Sequence, residues 1–161
     1  FTPLPREEVA RFLREQDSLD PETAAVLAAS SGGSIGKARE MNREDYLARR
    51  NGILEYLSTD DPAEPLRRLA FAGRFGTERE EIMEGLQILR ICYRDAMVFR
   101  ETADSERLIF RDRSPLIRKV ADRLSGRTLI HNLATVTAAM GAIDQNANKT
   151  LTLETMVIKL A

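Results

Sequence analysis

Apolar residues return every third or fourth position along nearly the whole chain, and strict alternation of apolar with polar residues is almost absent. That spacing marks helices with one buried face. The clearest case runs from Thr77 to Ala103, TEREEIMEGLQILRICYRDAMVFRETA, where Ile82, Leu86, Leu89, Tyr93, Ala96 and Phe99 recur at spacings of three and four. Thr77 and Glu80 stand at capping-box spacing at its start. A helix of this length is a rod of roughly 37 Å. Cys92 and Met97 widen its apolar side, so it needs several neighbours and reads as the central helix of a bundle.

The same pattern predicts eight further helices. Phe1-Thr2-Pro3-Leu4-Pro5 is an extended lead-in, because each proline disfavours helix in the residue before it. Helix one covers Arg6 to Gln16, with Val9, Phe12 and Leu13 inward. Asp20-Pro21-Glu22 is a start signal, and helix two carries a slim face of Ala24, Ala25, Leu27 and Ala28. Ser30 to Ser34 breaks it, with Ser34 as the cap of a short helix from Ile35 to Met41. Asn42 and Asp45 offer the next cap, for a helix reaching Leu57 with Tyr46, Leu47, Ile53, Leu54 and Leu57 inside. Ser58-Thr59-Asp60-Asp61 is the best boundary in the chain, and an Asp-Pro start at Pro62 opens helix five, which ends at Phe71.

After the long helix comes a charged loop, Asp104 to Arg113. Ser114-Pro115 opens helix seven, which buries Leu116, Ile117, Val120, Ala121 and Leu124 and stops at Ser125-Gly126. Helix eight, Arg127 to Asn146, turns Leu129, Ile130, Leu133, Val136, Met140 and Ile143 inward. A last helix begins near Thr152 and buries Met156, Val157 and Leu160. The expectation is an all-α protein: a small three- or four-helix unit over residues 1–58, a hinge, and a five-helix bundle over residues 59–161.

Composition narrows the function. Of 161 residues, 43% are apolar and 30% charged, with a formal charge of −1, so no global basic field draws in nucleic acid or an anionic membrane. One cysteine, Cys92, cannot form an internal disulfide, and its apolar setting points to a reducing, cytoplasmic environment. No run approaches a membrane span. The chain starts at Phe1 rather than Met, so it reads as a piece of a longer protein.

The candidate chemistry is thin. Gly32-Gly33-Ser34-Ile35-Gly36-Lys37 invites comparison with a phosphate loop, but three residues separate Gly32 from Gly36, Ala38 stands where a hydroxyl is needed, and a helix precedes it. A glycine turn between helices explains it. His131 has no second ligand at metal spacing, and Cys92 has no basic neighbour. The pairs Glu80-Glu81 and Asp60-Asp61 lie at a helix start and in the hinge. Arg94-Asp95 interrupts an apolar stretch and demands a partner, as an ion pair or an interface contact. The basic pairs Arg11 and Arg14, Arg49-Arg50, Arg67-Arg68, Arg107 and Arg113, and Arg118-Lys119 all sit among acids and read as solvated helix faces. No catalytic, cofactor or metal constellation emerges, and the residues alone indicate a helical interaction module.

Four segments in order carry a resemblance. FTPLPREEVARFL looks like the passage from the ATPase core of a clamp-loader subunit into its lid, and LAASSGGSIGKARE, with Gly33, Ser34, Gly36 and Lys37, resembles the lid motif. ILRICYRDAMVFRE, with Arg94 and Asp95, resembles the Arg-Asp helix of the collar domain. LIHNLATVTAAMGAIDQNANKTLTLETMVIKLA, with Asn146 and Asn148 before its final helix, is similar to the end of that domain. The family is the bacterial DNA polymerase III clamp loader, and the delta-prime subunits are the most similar members.

The resemblance implies a lid over residues 1–58 and a collar over 59–161. Related tau/gamma subunits carry an ATP-sensing arginine two residues after the lid Gly-Ser, where this chain has Gly36. It therefore implies a non-hydrolysing subunit that holds the loader ring together through its collar while the sliding clamp is loaded. The implied partners are tau/gamma and delta, with primed DNA met only through the assembled complex and no membrane. A tau/gamma ATPase subunit, a helical nucleic-acid-binding module and a helical enzyme fragment remain the alternatives.

Overall fold

A computed structural model describes residues 2–41, 43–59 and 64–161. Nine α-helices occur among them: α1 (Arg6–Gln16), α2 (Pro21–Ser30), α3 (Ile35–Glu40), α4 (Arg43–Ser58), α5 (Pro65–Ala72), α6 (Arg79–Thr102), α7 (Ser114–Arg123), α8 (Gly126–Asp144) and α9 (Lys149–Lys159). No strand is present among the described residues, so the protein is all-α. The cap at Asn42, the Asp60-Asp61 pair and the Pro62 start lie outside the described residues, as does Phe1.

Helix α6 is the organising element. It packs against α8, α7 and α4, and its residues Ile82, Leu86, Ile88, Leu89, Cys92, Tyr93 and Ala96 are buried among them. α5 and α8 both pack on α9, while α1 and α2 pair with each other. Gly85 permits one close approach: a Cβ there would lie 2.7 Å from the ring of Phe75, which is itself buried. Phe75 meets Phe71 edge-on at 5.1 Å, and Phe71 stacks on Tyr56 of α4 at 3.9 Å. An aromatic ladder thus joins α4, α5 and the start of α6.

Several boundaries differ from those expected. α6 begins at Arg79 and its capping box is Glu78 with Glu81, not Thr77 with Glu80. The Glu81 carboxylate accepts from the backbone N–H groups of both Thr77 and Glu78. α5 as described begins at Pro65. Gly126 opens α8 instead of stopping α7: Ser125 caps it, accepting from the Thr128 N–H. α9 begins at Lys149, three residues earlier than expected, because Asn148 caps it. Within α2, Ala24, Leu27 and Ala28 are buried as expected, but Ala25 is exposed and Val26 is buried in addition. Asp20, Pro21 and Ser34 do cap α2 and α3 as predicted.

Candidate interaction surface and its supports

The glycine turn between α2 and α3 is a packing device. Gly33 has φ +85°, and a Cβ there would lie 2.6 Å from the Leu4 carbonyl oxygen. The Leu4 N–H donates to the Gly33 carbonyl at 3.1 Å, which ties the lead-in to the turn. Ser34 Oγ accepts from the Lys37 N–H, and Gly36 and Lys37 face solvent in the first turn of α3.

Arg94 and Asp95 lie where α6 meets the connection to α7. Asp95 is fully buried. Its carboxylate accepts from Ile109 N–H at 2.9 Å, from Phe110 N–H at 2.8 Å and from Arg94 Nη1 at 2.6 Å. Arg94 Nη1 also donates to the Arg107 carbonyl. Burial pushes the Asp95 carboxyl above its ordinary range, opposed by the Phe110 N–H, Arg94 and the Ile109 N–H. The connection is therefore more than a charged loop. Its Leu108 and Phe110 are buried, and the carboxylate below holds its backbone.

A second clamp grips the same connection from α4. Arg50, expected on a solvated face, is only 3% exposed. It donates to both Asp112 oxygens, at 3.0 and 2.6 Å, and lies over the Phe110 ring at 5.2 Å. Its neighbour Arg49 pairs with Glu84 and reaches Glu81 at 3.6 Å. Burial raises the Glu84 carboxyl, with Arg49 opposing. These arginines are fasteners between α4, α6 and the connection, because guanidinium forks match carboxylate geometry even where water is scarce. Arg68 is also no mere solvated charge: it donates to the carbonyls of Ile158 and Leu160 and so holds the end of α9.

Sequence reasoning also missed Asn132. It is fully buried on α8 and meets Ala161 twice, accepting from its N–H at 3.0 Å and donating to its carbonyl at 3.1 Å. The adjacent His131 is exposed, with Nε2 3.0 Å from the Lys159 carbonyl. Asn146 takes a left-handed conformation, φ 61°, that turns the chain from α8 toward α9, and Asn148 caps α9. Cys92 is buried, and burial raises its thiol well above the ordinary range, as suits a packing role. No group of His, Cys, Asp or Glu able to hold a metal ion occurs among the described residues. No described helix is long and apolar enough to cross a membrane.

The outer face of α8 is without charge. Between Arg127 and Asp144, α8 carries no Asp, Glu, Lys or Arg, in a chain that is 30% charged. Ile130, expected inside, is 60% exposed, and Ala134, Thr137 and Ala138 are exposed with it. On the neighbouring α9, Leu151 and Ile158 are 63% and 61% exposed, seven residues apart and hence on one side. Half-buried Glu154 stands between those two on α9.

Fold and surface together define a helical-bundle domain with an apolar outer face. The family model described as DNA polymerase III, delta subunit, C terminal, matches residues 44–161. The chain therefore belongs to the family of C-terminal domains of the DNA polymerase III delta subunit, a structural component of the clamp loader. A search of curated proteins found no match.

Proposed function

We propose that this chain is the lid-and-collar part of a delta-prime-type subunit. Residues 1–58 form the lid and residues 59–161 the collar that holds neighbouring loader subunits while the sliding clamp is placed on primed DNA. The observation that carries this reading is the uncharged outer face of α8, with Ile130 on it and Leu151 and Ile158 on the neighbouring α9 unpartnered in the single chain. Packed helices supply a rigid, preformed patch, so binding orders few side chains. Gly36 favours a non-hydrolysing subunit over tau/gamma, because it places no cation where those subunits sense a phosphate. Tau/gamma and delta are the partners, and DNA is met only through the assembly. A second reading, delta itself, draws support from the description of the matching family.

Reconstitution separates these readings. The purified chain is mixed with tau/gamma alone, delta alone, and both, and complexes are resolved by size-exclusion chromatography. The proposal expects association with tau/gamma that Ile158→Glu abolishes without loss of helical content. Wild-type protein that elutes alone from every mixture at tens of micromolar would overturn it. Replacement of delta, rather than company with it, in a functional loader would select the second reading.

A further inference from the structure

A groove of about 590 Å³ runs between the α2–α3 turn and the middle of α6. Three guanidinium groups line it, from Arg6, Arg90 and Arg94, and none of its lining residues is acidic. That is a local departure from a chain whose formal charge is −1. Arg90 is half-buried and makes no hydrogen bond or ion pair with any described residue. Arg94 spends only Nη1 on Asp95 and the Arg107 carbonyl, and Arg6 pairs with Glu7 at an exposed site. Beneath the cations the walls are aliphatic: Ala28, Ala29, Ile91 and Leu133. The groove opens into a larger cleft under α1, with which it shares Arg6, Ala29, Arg94 and Ile109.

We propose that this groove docks an acidic segment of a partner protein, in which an aliphatic side chain flanked by carboxylates enters between the arginines. Charge complementarity selects the occupant. An unpaired, partly desolvated guanidinium beside two others favours carboxylate, which Arg engages through two parallel bonds. The volume falls in the range of sites that take a drug-sized ligand and so admits a short peptide segment. The groove has no aromatic ring on which a base could stack, which disfavours single-stranded nucleic acid. The site reaches α8 only at Leu133, and the proposal does not depend on which loader subunit the chain is.

The test is fluorescence anisotropy on the whole chain with a labelled Glu-Asp-Leu-Leu-Asp-Glu peptide. A version with Lys for every acid and a short oligothymidylate serve as comparators. The proposal expects saturable binding of the acidic peptide that weakens as NaCl rises from about 50 to about 300 mM, and no binding of the basic one. Arg90→Glu should weaken it at least about tenfold. Arg90→Gln should show a smaller loss in the same direction, and it serves alone if the reversed charge unfolds the protein. Absence of saturation at about 1 mM peptide, equal affinity for oligothymidylate, or an Arg90 variant that folds and binds like the wild type would each overturn the proposal.

Discussion

Asp95 offers the sharpest test of how this bundle is held. Asp95→Ala removes the acceptor of two backbone N–H groups, Ile109 and Phe110, and one guanidinium bond, all at a fully buried site. Each orphaned buried donor costs about 1–3 kcal/mol. Arg94 is 36% exposed and recovers much of its loss by hydration, so the two amides dominate. The total is roughly 3 kcal/mol, or a drop in Tm of roughly 6–12 °C for a domain of this size. Thermal unfolding followed by far-UV circular dichroism measures it, and hydrogen exchange localises it. The Ile109 and Phe110 amides should lose protection while the middle of α8 keeps its own. A variant within about 2 °C of wild type, with both amides still protected, would refute the argument, because the backbone of the connection would then be held by something other than this carboxylate.

The same residue has a pH signature. Its carboxyl is raised from the ordinary value of 3.8, so the native state keeps this proton longer than the unfolded chain does. The resulting stabilisation is complete below the unfolded value and is lost as pH rises through the folded one. The stability of wild type minus that of Asp95→Asn, from urea titrations, should therefore fall as pH rises above the ordinary carboxyl value of 3.8. Arg50→Met should cost about 2 kcal/mol, less than a fully buried broken pair, because Asp112 is 27% exposed and rehydrates; a double-mutant cycle with Asp112→Asn measures the coupling. Asn132→Ala should cost about 1–2 kcal/mol and free the Ala161 amide to exchange. Gly33→Ala should cost about 1–3 kcal/mol, because the new methyl meets the Leu4 carbonyl at φ +85°; a chemical denaturation midpoint checks it.

The helices are legible in the sequence because their signal is local. Ile82, Leu86, Leu89 and Tyr93 carry the period of α6 wherever the rest of the chain lies. Helix starts are less legible where two residue pairs have capping chemistry. Thr77 with Glu80 and Glu78 with Glu81 have the same spacing, and only the geometry at Arg79 chooses between them. The ties between helices are not legible, for they join positions far apart in the chain. Arg50 finds Asp112, and Asn132 finds Ala161, across spans with no periodic trace. Arg50 also looks like every other arginine among acids until its burial is known. Ile130 misleads differently: its place in the apolar pattern of α8 fits the core, yet it faces outward, as a side chain reserved for a partner would. The Gly32-Gly33-Ser34 stretch is legible as a turn, but its glycine requirement comes from Leu4, which local reading does not link to Gly33.

The doubly gripped stretch between α6 and α7 has a mechanical consequence. A torque on α4 reaches Asp112 through the Arg50 fork and continues through the backbone of Ile109 and Phe110 into Asp95, at the heart of α6. Helix α4 is thus coupled to α6 by a side-chain strut running parallel to the covalent route through residues 60–63. Cutting the chain there would leave that load path standing.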